Sequence, residues 1–512
     1  METSTEKRLF GNIITTFLGL TLLVMIVSLI GNLLGWQASF TRINSITGEL
    51  EKSVIAISNL FSSTEIRAII GNAMINFVTF APLGSFIIAL LGIGVAHKTE
   101  YLTVVSTIFG RRLSKFWLTF IIVLLAIISN FANDVGYVLL IPLSAILFLA
   151  NNRNPLGGMI ATFVGVSAGQ GINFLFSSLS YGLTPYTEMA AGLTDDTYSI
   201  GSFNNVFFCI VGVIVLTFLI TYITEKIVVP RLPKYKRDEE FVDEVVIARK
   251  ERRGLVLATI GSIILTLLYI YLLIPGLPGS GLLLDSSGKT YIEMLLGSDS
   301  FFSSSIVFLI SIKLLLAGIL YGLGAKTIKG KNQVTNLIYS SLNNVGGMLV
   351  LIFIASQFLA IFKRSNLGTL ITATLIDLIK DLNFTSIPLI LLVLIFMGIS
   401  NIFLSSSITK WAIASPIVVP LFMNANMTAE FAQAVFRVSE SATNMLTPLL
   451  AYSVIFIGYL EMYNKNERPI SFRDYYKMIW PYSLAIILLW IFILSTWYII
   501  GLPIGFNVYP TV

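Results

Sequence analysis

The chain has 512 residues, of which 55% are hydrophobic and 12% charged, against roughly 25% charged in a soluble domain, and its mean hydropathy is +0.85. Such a chain is an integral membrane protein, and its net charge of +6 is read as membrane orientation rather than affinity for nucleic acid. One cysteine, Cys209, rules out a disulfide within the chain, and one histidine, His97, leaves no pair for a metal site or proton relay.

The first apolar run, Phe10 to Leu33, follows Lys7 and Arg8 and is too long for a signal-peptide core. It is expected to be a retained helix with a cytoplasmic N-terminus. Residues 72–96 carry Pro82, Gly84, Gly92 and Gly94, the pattern expected of a re-entrant hairpin, which is tolerated only where protein or a watery cavity satisfies its backbone. A broken helix is expected over 120–150 and another apolar helix over 156–180. Residues 226–253 hold nine Lys and Arg, so this loop should be cytoplasmic and link an N-terminal half (1–225) to a C-terminal half (254–512). Residues 276–300 hold only Lys289 among Lys and Arg and should be external. Lys313 interrupts an apolar run, either paired with a carboxylate or reaching water with its long stem. A second hairpin is expected over 343–362, opened by Gly346 and Gly347, followed by a broken helix over 386–424, a helix over 429–460 and a last helix over 479–504. Basic residues at 326–331 and 465–477 mark further cytoplasmic loops, so the crossing number is odd and the C-terminus external. Continuous apolar runs exclude a membrane barrel, whose strands alternate over about 10 positions.

The halves echo one another. Ile128-Ser129-Asn130 returns as Ile399-Ser400-Asn401, 271 residues on, and Val166-Ser167 leading to Asn173 returns as Val438-Ser439 leading to Asn444. Each copy has a proline beyond it, Pro142 and Pro416. The expected fold class is therefore all-α, with an internal, inverted repeat, although the charges after each hairpin do not decide the inversion. Interrupted helices at matching positions point to a transporter's binding site near the midplane. Ser129, Asn130, Ser400 and Asn401 offer neutral oxygens that suit Na+, with Asn173 and Asn444 beside them; alternatively they join helices by hydrogen bonds of about 0.6 kcal/mol. Arg437 and Glu440, three apart in an apolar run, either take a substrate carboxylate and a cation or proton, or neutralise each other. Asp134 is a cation or proton ligand or a helix-start charge. Trp411, beside Lys410, is an interfacial anchor or an aromatic platform in the cavity.

Four strings carry a resemblance to a known family: Ser129-Asn-Phe-Ala-Asn-Asp-Val-Gly-Tyr-Val-Leu-Leu-Ile-Pro142, Thr224-Glu-Lys-Ile-Val-Val-Pro-Arg231, Lys410-Trp-Ala-Ile-Ala-Ser-Pro416 and Arg437-Val-Ser-Glu-Ser-Ala-Thr-Asn-Met-Leu-Thr-Pro448. Over nearly its whole length the chain resembles the p-aminobenzoyl-glutamate transporter family, AbgT. The resemblance implies a bacterial inner-membrane homodimer with about nine crossing helices and two re-entrant hairpins per subunit. It implies import of p-aminobenzoyl-glutamate or export of p-aminobenzoate and sulfonamides, driven by a cation or proton gradient, with roles near the transport path for Asn401, Trp411, Arg437 and Pro448. Two positions depart from the family pattern: Ser180 and Glu440 stand where the family typically has Asp. The expected function is secondary transport of a small carboxylate-bearing aromatic or acyl-amino-acid anion with Na+ or H+, with Na+ placed at Asn401 and Glu440 and no other cofactor. A symporter of non-aromatic carboxylates is the alternative. An intramembrane enzyme would need a nucleophile–base pair or metal ligands, for which the chain offers no His-Glu-x-x-His or Gly-x-Ser-x-Gly motif, and a channel would need no paired broken helices.

Overall fold

The computed structural model describes residues 11–44, 49–132, 135–173, 178–201, 203–232, 235, 248–297, 300–343, 345–382, 384–465 and 469–511. In hydrocarbon every backbone polar group needs a partner within the protein, and the long apolar runs accordingly form helices. The order is α1 (Gly11–Leu33), an antiparallel pair of β1 (Gln37–Ile43) and β2 (Leu50–Ala56), α2 (Ser63–Gly71), α3 (Ala73–Val78), α4 (Ala81–Lys98), α5 (Tyr101–Arg112), α6 (Lys115–Ile128), α7 (Ile141–Ala150), α8 (Pro155–Gly169), α9 (Ser178–Ala191) and α10 (Val206–Ile223). The second half runs α11 (Arg249–Leu272), α12 (Tyr291–Leu296), α13 (Phe301–Ala325), α14 (Lys331–Ser341), α15 (Gly346–Arg364), α16 (Leu367–Asp381), α17 (Ser386–Phe403), α18 (Ser407–Asn424), α19 (Ala429–Thr443), α20 (Ala451–Met462) and α21 (Phe472–Ile500). Among the described residues nine helices are long and apolar enough to cross a membrane, the number expected from the sequence.

The helices break where polar side chains compete for the backbone. Ser129 Oγ donates to the Ala126 carbonyl at 2.7 Å and Asn130 Nδ2 to that of Ile127 at 3.1 Å, offering the chain an alternative to the helical ladder. A 3-10 turn (Ser129–Ala132) and a π turn (Gly136–Leu140) then separate α6 from α7. The carbonyl of Ile128 is satisfied by Asn173 Nδ2 at 3.1 Å. At the matching break after α17, Thr447 Oγ1 donates to the Ile402 carbonyl at 2.7 Å.

The repeat extends over whole elements. The hairpin α4–α5, then α6, the segment Gly136–Ala150, α8, α9 and α10 recur in order as α15–α16, α17, α18, α19, α20 and α21. Every residue of α8 and of its counterpart α19 is buried, so these two helices form the centre. They meet at Arg437, whose Nε donates to the Gly171 carbonyl at 3.0 Å, and at Asn444, whose Nδ2 donates to the Ser167 carbonyl at 3.2 Å. As numbers rise along α19, those of its partners fall from 171 to 167. Counterpart helices therefore run antiparallel here, as an inverted repeat requires. Gly171 permits the contact, since a Cβ there would lie 2.0 Å from the Arg437 carbonyl oxygen.

Three details differ from the sequence reading. Glycine and proline do not fold 72–96 or 343–362 back on themselves. Pro82 sits in the first turn of α4, where no amide hydrogen is required, and Gly346 opens the continuous helix α15. The tight reversals lie one helix later, at Thr99–Glu100 and Ser365–Asn366, where Glu100 and Asn366 adopt φ of 69° and 63°. The last helix begins at Phe472, because Ser471 and Asp474 form a capping box. Lys313 Nζ donates to Thr266 Oγ1 on α11 at 2.8 Å, bonding a hydroxyl. Half of the basic linker 226–253 falls outside the described residues.

Candidate functional site

At the centre, broken ends of both halves feed one polar chain. Lys410 Nζ, on α18, lies 2.6 Å from Glu440 Oε1 on α19 and also donates to Asn401 Oδ1 on α17. Asn401 Nδ2 donates to Asn444 Oδ1 at 2.7 Å and to Thr443 Oγ1 at 3.0 Å. Asn444 Nδ2 passes the chain to the first half through Gln170 Oε1 at 3.0 Å. Lys410, Asn401 and Glu440 are fully buried, so each must be held by the others. Ser400 bonds sideways to Thr372, Oγ to Oγ1 at 2.6 Å.

Gln170 also borders a cavity of about 340 Å³, within the usual range of 300–1,000 Å³ for small-molecule sites. Asn130, Tyr137 and Tyr452 line it together with Ser303 and Ser304 of α13. The two tyrosine rings stack with centroids 4.7 Å apart and planes at 5°. Asn130 is anchored by bonds from its Nδ2 to the carbonyls of Val166 (2.9 Å) and Ile127.

Asn401, Glu440, Asn444 and Arg437 thus gather at the repeat interface, Asn130 lines the adjoining cavity, and Ser129 and Asn173 serve the helix break. Pro448 is half-buried in the irregular link between α19 and α20. Asp134 lies outside the described residues. Trp411 is not at the lipid interface: its side chain is fully buried, stacks on Phe436 at 4.6 Å and donates from Nε1 to Thr187 Oγ1 at 2.8 Å. It does not line the cavity either. Arg437 and Glu440 do not pair with each other. Glu440 is taken by Lys410, whereas Arg437 Nη2 and Glu440 Oε2 have no hydrogen-bond partner.

Sequence reasoning missed Lys410, Gln170 and the tyrosine pair. For Lys410 the signal was present, a second charge inside an apolar run, but Trp411 beside it suggested an interface. The oxygens of Asn401 and Glu440 expected to hold Na+ here contact the Lys410 ammonium.

Residues 8–512 match the model described as the "AbgT putative transporter family". The chain belongs to the AbgT family. Among its AbgT relatives, the p-aminobenzoyl-glutamate transport protein of Escherichia coli (strain K12) is 27% identical over 456 residues, spanning 89% of this chain and 87% of that protein. Two solved structures are also similar. The YdaH transporter of Alcanivorax borkumensis, described as having an unusual topology, is 27% identical, covers 97% of this chain and 100% of its own, and has a TM-score of 0.48. MtrF of Neisseria gonorrhoeae, described as illuminating a class of antimetabolite efflux pumps, is 29% identical, covers 97% of both chains and has the same TM-score of 0.48. The family and the E. coli relative are both named as transporters.

Proposed function

We propose that this chain is a secondary active transporter of the bacterial inner membrane. Its cargo is a small aromatic or acyl-amino-acid anion: p-aminobenzoyl-glutamate as an imported substrate, or p-aminobenzoate and sulfonamides as exported ones. Coupling is to Na+ or H+ through Asn401 and Glu440. The observation that carries the reading is Arg437. It is 4% exposed and its Nη2 has no partner, yet a buried donor left unsatisfied is costly. A substrate carboxylate supplies the missing acceptor with a charge-assisted bond. The stacked pair Tyr137 and Tyr452 favours an aryl group over a non-aromatic carboxylate, and the E. coli relative is named for a substrate with both features. The subunits form a homodimer, with the basic loops and N-terminus cytoplasmic and the C-terminus external.

The test is uptake of radiolabelled p-aminobenzoyl-glutamate into proteoliposomes under imposed Na+ and pH gradients. Arg437→Ala is expected to abolish saturable flux while the purified protein stays monodisperse. Unchanged kinetics in that variant would make the arginine structural. An excess of p-aminobenzoate should compete for uptake and an aliphatic dicarboxylate should not.

A further inference from the structure

The cavity that Tyr137 and Tyr452 line has a hydrogen-bonding bias. Asn130 Nδ2 spends its hydrogens on the carbonyls of Val166 (2.9 Å) and Ile127 (3.1 Å). A carbonyl only accepts, so this amide cannot be turned round, and Asn130 Oδ1 is left without a hydrogen-bond partner among the described residues. On α13, Ser303 Oγ donates to the Leu295 carbonyl at 3.3 Å and Ser304 Oγ to that of Phe301 at 3.1 Å. A hydroxyl has one hydrogen and two lone pairs, so both serines are left as acceptors too. Among the described residues of the lining there is no Lys, Arg or His. Such a lining calls for hydrogen-bond donors and offers a carboxylate no counter-charge. Its volume of about 340 Å³ suits an organic group rather than a lone ion.

The exception lies towards Arg437. Gln170 Oε1 accepts from Asn444 Nδ2, whose other bond goes to the Ser167 carbonyl, and this fixes the orientation of both amides. Gln170 Nε2 therefore remains a donor with no partner among the described residues. Gln170 lines the cavity and directly precedes Gly171, whose carbonyl holds Arg437 Nε. It stands where the cavity and Arg437 meet.

We infer that this cavity reads the primary amine of an arylamine cargo. Asn130 Oδ1 and the hydroxyls of Ser303 and Ser304 accept from the amine, the Tyr137–Tyr452 pair flanks the ring, and Gln170 Nε2 donates to the carbonyl para to the amine. The inference rests on the transport reading above and gives the cargo a direction, carboxylate at Arg437 and amine in the cavity. An arylamine shares its nitrogen lone pair with the ring, so at neutral pH it is uncharged and presents two N–H donors. In the reversed pose a carboxylate would face acceptors, and the amine would face a guanidinium that only donates. Both ends oppose that pose. The amine is the group that p-aminobenzoyl-glutamate, p-aminobenzoate and the sulfonamides share, so one cavity serves all three.

Titration calorimetry on the detergent-purified full chain, with three benzoyl-glutamates that differ only in the para group, tests this. The 4-amino compound brings two donors, the 4-hydroxy compound one and the 4-methyl compound none. Affinity is expected to fall in that order, with 4-methyl at least about tenfold weaker than 4-amino, because acceptors that a ligand covers without bonding are left unpaired. Ser303→Ala combined with Ser304→Ala should cut the amino-to-methyl ratio at least about threefold and leave the 4-methyl affinity unchanged. Asn130 is kept, since its Nδ2 also ties the helix break. Equal affinities across the wild-type series overturn the inference and leave the transport reading standing. A loss in the double variant that is the same for all three compounds also overturns it and makes the serines structural. A wild type that binds none of the three removes the substrate reading, and the inference falls with it.

Discussion

Replacing Glu440 with Gln tests the central pair most directly. The substitution keeps the shape of the side chain and removes its charge, leaving the Lys410 ammonium fully buried with only neutral oxygens around it. Breaking a buried ion pair on one side typically costs about 3–5 kcal/mol. The penalty has a ceiling, because the amine can instead be buried neutral. Giving up a proton that free lysine holds up to pH ~10.4 costs about 1.36 kcal/mol per pH unit, hence about 4.6 kcal/mol at pH 7 and about 1.9 kcal/mol at pH 9. Glu440→Gln should therefore destabilise the protein by about 3–5 kcal/mol at pH 7 and by less than about 2 kcal/mol at pH 9. Adding Lys410→Met should recover most of the loss at pH 7, since a neutral buried pair needs no counter-charge. Reversible unfolding in mixed detergent–SDS micelles at the two pH values measures all three variants. Equal losses at pH 7 and 9, or no recovery in the double variant, would refute a charged pair at this place.

Gly171→Ala puts a Cβ 2.0 Å from the Arg437 carbonyl oxygen and must part the two counterpart helices, so initial transport rates should fall at least about tenfold, with Gly165→Ala in α8 as a packing control. Trp411→Phe keeps the stack on Phe436 but leaves Thr187 Oγ1 without its indole donor; a stability loss of about 1–3 kcal/mol is expected, measured in the same micelles. Tyr452→Ala removes half of the stacked tyrosine pair and should weaken p-aminobenzoyl-glutamate binding by about 0.5–1.5 kcal/mol, with Tyr452→Phe restoring it, as read by titration calorimetry.

Much of the architecture was legible because hydrocarbon sets the length of an apolar run, and a serine–asparagine pair within such a run has few other reasons to exist. Ser129-Asn130 and Ser400-Asn401 did mark helix ends, and their spacing of 271 tracked a repeat of whole elements. Helix continuity was not legible from Pro82 and Gly346, since proline and glycine at a helix start disturb nothing. The site was half legible. Asn401, Arg437, Glu440 and Asn444 were marked by their polarity, but the i, i+3 rule paired Glu440 with Arg437, and only tertiary packing brings Lys410 from another helix to claim it. Tyr137 and Tyr452 carry no charge and come from different halves of the chain, so nothing local singles them out.

The spacing of polar groups on α19 also limits which changes of length the chain can accept. One residue inserted between Phe436 and Arg437 would turn everything after it by about 100°, swinging Glu440 away from Lys410 and Asn444 away from Asn401 in a single stroke. Seven inserted residues would restore the facing but slide those groups about 10.5 Å along the axis, past every partner they now have. The loops of this transporter can lengthen or shorten, whereas α19 can change only by substitution.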